Sequence, residues 1–331
     1  MSTEEQGRGP AGESRKSGPL VAVVRWMENL SEEAYAYLLL TPGFFILLLM
    51  AFWPLGSAFR MSFFADQVVG TGRLGGFAGL ENYVRLLTDT NALAPATFLD
   101  PSFQVPLLEQ ALFMTLLFAI LSVVGETILG FLYAMLMKAE YRGRRAVRVL
   151  IIIPWAIPIV IQGMIFFLLF NNSVGIAGIW LSEIGMFTRN PLSTPENALL
   201  VVMVADVWKQ TPFIALLVLA GLQSIDRDLY EVARVSGATR WERFKTVTFP
   251  LVLPTLLVAM LFRSIGAMKI YGTIVPIAGC NTVPSLSCVV VSTFNSRLYG
   301  TSTAVAVLMA VIIGSLMMFY IIPYARTEGG V

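Results

Sequence analysis

Ser224-Ile-Asp-Arg-Asp-Leu-Tyr-Glu-Val-Ala-Arg-Val-Ser-Gly-Ala-Thr-Arg-Trp-Glu-Arg-Phe-Lys-Thr-Val-Thr-Phe-Pro250 is the most charged stretch of the chain, and it lies between two long apolar runs. Its pattern is that of two short helices joined by a tight turn. Asp226 suits an N-cap, and Leu229, Val232, Ala233 and Ser236 then fall along one helical face. Gly237 supplies the residue that tolerates a left-handed conformation and closes the first helix. Thr239 and Glu242 have capping-box spacing for a second helix carrying Trp241, Phe244 and Val247, which Pro250 is expected to end. Taken alone, helix–Gly–helix with basic residues also fits a DNA-binding helix-turn-helix. The flanking sequence decides between the two readings.

Of the 331 residues, 56% are hydrophobic and 13% charged, and the mean hydropathy is +0.73. Soluble domains carry about 25% charged residues, so this is the composition of an integral membrane protein. A net charge of +2 is too small to imply a nucleic-acid partner. With no histidine, the Ser-His-Asp, Cys-His and His-zinc arrangements are excluded together. Two cysteines do not make a metal site, and no Gly-x-x-x-x-Gly-Lys-Ser/Thr phosphate loop is present, so the chain has no P-loop means of holding ATP.

Residues 1–34 read as a polar tail, with Leu20, Val23, Val24, Met27 and Leu30 spaced for a short surface helix or for a continuation of the first span. Six apolar runs follow, at about 35–59, 108–137, 147–170, 199–222, 250–274 and 303–323, each long enough for the ~20 residues that cross a bilayer. The fold class expected is an all-α six-span bundle over 35–325, with a last short tail at 326–331. Fifteen Lys and Arg fall on the side of the N-terminus, the second-to-third loop, the 224–249 loop and Arg326, against five on the other side. The positive-inside rule therefore places both termini and the opening segment in the cytoplasm. Tethered at both ends to spanning helices, that segment has no access to a DNA groove. It reads as a rigid hairpin offered to a cytoplasmic partner.

On the external side, the loop over 275–302 holds Cys280 and Cys288, a candidate disulfide contributing ~2.5 kcal/mol by chain entropy. Ionisable groups at membrane depth are expensive and call for a function or a partner; here they are Glu126, Asp206, Lys209, Arg263 and Lys269. Asp206 and Gln210 share a helical face. With Lys269 and Tyr271 they offer the carboxylate, amide, charge and aromatic hydroxyl suited to a path for a hydroxyl-rich solute. The alternative is an interhelical ion pair, for example Asp206 with Lys269.

Glu231-Val-Ala-Arg-Val-Ser-Gly-Ala238, continuing to Phe249-Pro-Leu-Val-Leu-Pro254, resembles the "EAA" loop of permease subunits in binding-protein-dependent ABC importers. Glu231, Ala233, Gly237, Ala238 and Pro250 match; Val232, Ser236 and Phe249 depart from the usual residues. Gly79-Leu-Glu-Asn-Tyr83, with Pro42, Pro54, Ser62 and Phe63, is similar to the MalF/UgpA type of carbohydrate permease. The resemblance implies a second, MalG-like permease, two cytoplasmic ATPases that hold ATP and Mg, and an external solute-binding protein, with no cofactor on this chain. It also implies that Glu231, Ala233, Gly237, Ala238, Trp241 and Phe244 form the ATPase-coupling surface. A secondary transporter remains the alternative, though no repeat relates 35–170 to 199–323; so does a non-sugar solute such as glycerol-phosphate.

Overall fold

The computed structural model describes residues 30–66, 74–88, 97–102 and 104–328, with side chains as far as residue 322. The expected surface helix over 20–30 falls, but for its last residue, outside the described ones. The chain divides into two units, Met1–Ser57 and Ala58–Val331.

In chain order the helices are α1 (Glu32–Leu47), α2 (Trp53–Met61), α3 (Glu81–Thr88), α4 (Ala111–Lys138), α5 (Arg144–Ala156), α6 (Ile159–Phe170) and α7 (Ile176–Glu183). They continue as α8 (Pro195–Gln223), α9 (Arg227–Val235), α10 (Arg240–Arg243), α11 (Phe249–Met268), α12 (Ile274–Ile277), α13 (Leu286–Asn295) and α14 (Tyr299–Glu328). One antiparallel pair, β1 (Phe64–Asp66) and β2 (Leu74–Phe77), precedes α3. Five helical stretches are long and apolar enough to cross a membrane, and α5 with α6 supplies a sixth if that bent pair counts as one span.

Three features depart from the expectation of six plain spans. The run at 147–170 is broken, with α5 and α6 meeting at 96°. Pro158 disfavours the helical conformation at the residue before it, and Ile157 is accordingly extended at φ −71°, ψ 130°. The fifth span ends at Met268 rather than 274, with Lys269 as its C-cap. Pro250 does not end the second hairpin helix: a π-turn over Phe244–Thr248 links α10 to α11 without a break, and the Phe249 N–H bonds Phe244 O five residues back. A π-turn over Leu48–Phe52 stands in the same relation to Pro54, with Trp53 N–H bonding Leu48 O. Proline lacks an N–H and its ring collides with the carbonyl four residues earlier; widening the preceding turn by one residue moves that carbonyl aside.

Two apolar cores form in the second unit. One, centred on Val218, Leu222, Val252 and Leu256, lies at the hairpin end of α4, α8 and α11. The other, including Phe118, Val123, Val202, Ala267 and Met268, lies toward their far ends. Helices α4 and α8 meet closely at Gly130, where a Cβ would stand 2.8 Å from an Ile214 methyl and 3.2 Å from the Ala215 nitrogen.

Candidate functional site

The hairpin is built by its caps. The Asp226 carboxylate accepts from Asp228 N–H at 3.0 Å and starts α9. Gly237, at φ 83°, ends it with a pair of bonds in which Gly237 N–H donates to Arg234 O and Ala238 N–H to Ala233 O, both at 3.0 Å. That double closure is the Schellman arrangement. Thr239 and Glu242 then exchange bonds: Thr239 N–H donates to the carboxylate at 2.6 Å and Glu242 N–H to the hydroxyl at 3.3 Å. The glycine turn and the side-chain caps thereby lock the two helices together.

Packing ties this lever to the bundle. Tyr230 OH lies 3.1 Å from Thr248 Oγ1, and Lys138 Nζ sits 4.9 Å from the Tyr230 ring centre. Phe244 packs edge-on to Phe131 at 5.8 Å and stacks with Trp241 at 5.2 Å. The outer face is bare: Trp241 is 68% exposed, Val232 65% and Val235 89%. Glu231 is exposed and forms no ion pair among the described residues. Exposed apolar groups of this size, on a rigid frame and beside an unpaired carboxylate, mark a contact surface.

Between the two cores lies a layer of charge. Arg263 Nε donates to Glu126 Oε2 at 2.5 Å, and its Nη2 to Glu126 Oε1 at 2.7 Å and Asp206 Oδ2 at 2.9 Å. One guanidinium thus joins α4, α8 and α11. The partner of Asp206 is Arg263, not Lys269. Lys209, one turn beyond Asp206, donates to Ile157 O and, at 3.3 Å, to Trp155 O. It satisfies the carbonyls freed where α5 breaks from α6. Gln162 Nε2 bonds Ala205 O at 2.6 Å, so α6 is pinned to the same stretch of α8.

The four residues expected along a solute path are placed unevenly. Asp206 is buried and committed to Arg263. Gln210 is half-buried on the same helix, Lys269 is exposed past the end of α11, and Tyr271 is half-buried in the loop beyond. Among the described residues, no side-chain hydrogen bond or ion pair links any two of them.

At the opposite end, the Gly-Leu-Glu-Asn-Tyr segment has a structural use. Asn82 Nδ2 donates to Ser62 O and Phe64 O, both at 2.8 Å, and Tyr83 OH donates to Ser62 Oγ at 2.6 Å, stitching α3 to the strand pair. Asp66 in turn caps α14, accepting from Gly300 N–H at 2.7 Å and Thr301 Oγ1 at 2.5 Å. Asp100 accepts from the Ser102 hydroxyl and from the Ser102, Gln104 and Val105 N–H groups. The Ser102 hydroxyl above all, then those N–H groups, hold its carboxyl below the usual carboxylate range. Cys280 and Cys288 form a disulfide with Cα atoms 5.7 Å apart. No sequence signal pointed to the strand pair or to the capping of α14 by Asp66, which joins residues more than 230 positions apart.

Residues 126–327 match the family of binding-protein-dependent transport system inner membrane components. The chain belongs to that family. This multi-pass membrane protein is a permease subunit of an ABC importer, the non-catalytic part of an ATP-driven machine. Across 293 residues it is 33% identical to the trehalose/maltose transport system permease protein MalF of Thermococcus litoralis, covering 88% of this chain and 93% of that one. It is 30% identical over 260 residues to the trehalose transport system permease protein SugA of Mycobacterium tuberculosis, 78% of each chain. The fold is shared with a bacterial ABC transporter involved in the import of the acidic polysaccharide alginate, at TM-score 0.68 and 23% identity over 91% of this permease and 99% of the other chain.

Proposed function

We propose that this permease forms half of the translocation path of a sugar or related polyol, delivered by an external solute-binding protein. A second, MalG-like permease completes the path. Two cytoplasmic ATPases, which hold ATP and Mg, drive it through the 224–249 hairpin, and both termini share that side of the membrane. The observation that carries this reading is the hairpin itself: locked at both helix ends, anchored by Tyr230 and Phe244, and bare at Glu231, Val232, Val235 and Trp241. The substrate class is supported by the two relatives, permease proteins of a trehalose/maltose and of a trehalose transport system.

Within this scheme Gln210 and Tyr271 are the hydrogen-bonding groups assigned to the solute, and Lys269 borders the path from its exposed position. Asp206 serves it indirectly, by fixing Arg263. ATPase dimerisation moves the hairpin as a rigid body and shifts the helices joined to it, a rigid-element coupling. Glu231 engages a basic residue on the ATPase and the exposed Trp241 fills an apolar groove there, while Phe244 holds the second helix to the bundle. The test is retention of the ATPase on the purified full complex. Glu231→Lys is expected to strip it while leaving membrane insertion intact; undiminished retention with Glu231→Lys would refute the docking role.

A further inference from the structure

A cavity of 510 Å³ opens at the base of the hairpin, lined by Lys138, Glu140, Arg144, Arg148, Arg227 and Tyr230 with the carbonyl end of α8. Four cations face one carboxylate there, and Glu140 pairs with none of them among the described residues. Two of the cations are held in place. Lys138 Nζ donates to Leu222 O at 3.0 Å, and Arg148 donates through Nε and Nη2 to Met137 O at 3.1 and 2.5 Å. The guanidinium groups of Arg144 and Arg227 have no partner among the described residues. Walls carrying fixed cations, free guanidinium forks and a tyrosine hydroxyl are built for a tetrahedral oxyanion.

Depth identifies its source. Lys138 is the last residue of the 28-residue α4, and Gln223, also on the wall, is the last of the 29-residue α8. Helices of that length run about 42 Å, beyond the ~30 Å hydrocarbon layer, so these ends lie at headgroup level. The cavity volume falls within the range of small-molecule sites and leaves ample room for a glycerophosphate group. We propose that this cavity binds a phosphoryl group, contributed by an anionic phospholipid headgroup, and that lipid binding there braces Tyr230 and the root of the hairpin.

The test uses the full chain in its complex, reconstituted in nanodiscs of phosphatidylcholine with or without phosphatidylglycerol, and separately in detergent with inorganic phosphate. Thermal stability and the phosphatidylglycerol retained in native mass spectrometry are read. Phosphatidylglycerol is expected to stabilise the native protein over phosphatidylcholine. The double variant Arg144→Gln/Arg227→Gln should bind it about 30-fold more weakly, two charges at ~1 kcal/mol each. The charge-matched Arg142→Gln/Arg145→Gln, altered outside the cavity, should bind normally. Protection by inorganic phosphate alone would uphold the phosphoryl site and assign it a soluble anion instead. Equal stability in both lipids with no effect of phosphate would overturn the site. So would an equal loss in the two double variants, since the attraction would then be a diffuse property of the basic loop.

Discussion

Replacing Arg263 with Met removes three hydrogen bonds at once, two to Glu126 and one to Asp206. It leaves two carboxylates, 0% and 2% exposed, without their cation. Solvent does not screen groups this deep, so the discount that applies to surface pairs is absent. Breaking a buried pair by deleting one partner costs ~3–5 kcal/mol, most of it the desolvation of the charge left behind. Replacing the entire network with neutral groups of similar size is nearly free by the same reasoning. Arg263→Met should therefore destabilise the permease by ~3–5 kcal/mol, and Glu126→Gln/Asp206→Asn/Arg263→Met should recover most of that loss. Unfolding of the full chain in mixed micelles, followed by tryptophan fluorescence, measures both. A single variant as stable as the native chain, or a triple variant no better than the single, would contradict the reading of Arg263 as the brace joining α4, α8 and α11.

Lys209→Met leaves the carbonyls of Trp155 and Ile157 without their donor, at ~1–3 kcal/mol; hydrogen exchange over 155–162 should rise, and unchanged protection there would rule out the capping role. The lowered pKa of Asp100 makes its contribution to the loop full above the ordinary value of 3.8 and lost as pH falls through the folded pKa. Acid loosening of the amides at 102, 104 and 105 should thus begin below pH 3.8 in the native chain, while Asp100→Asn should show weak protection at every pH. Reduction of the Cys280–Cys288 bridge, which closes a loop of separation 8, should cost ~2.5 kcal/mol, measurable as a shift in the unfolding midpoint against a Cys280→Ser/Cys288→Ser control that does not respond to reductant.

What was legible in the sequence was local. Caps, the glycine turn and apolar runs each rest on residues a few positions apart, so Asp226, Gly237 and the Thr239–Glu242 box could be placed in advance. The positions of proline were equally plain, but their consequences were not. The span breaks at Pro158, whereas Pro250 follows a π-turn and the helix runs on, with Phe244 of that turn packed against Phe131. Partners distant in the chain carried no signal: Glu126 and Arg263 are 137 positions apart. In sequence Lys269 is as good a cation for Asp206 as Arg263 is, but α11 ends at Met268 and leaves Lys269 exposed beyond it. The strand pair was hidden for a similar reason, being tied down by Asn82 from α3.

The docking role assigned to the hairpin stands most directly on Gly237. Its φ of 83° is closed to proline, and its N–H is one of the two bonds that end α9. Gly237→Pro should uncouple the transporter without removing the spans. The decisive measurement is ATP hydrolysis by the reconstituted complex with and without solute-loaded binding protein. Stimulation should vanish in the variant while the complex stays inserted. Native-like stimulation with proline at 237 would mean that the hairpin does not transmit the motion.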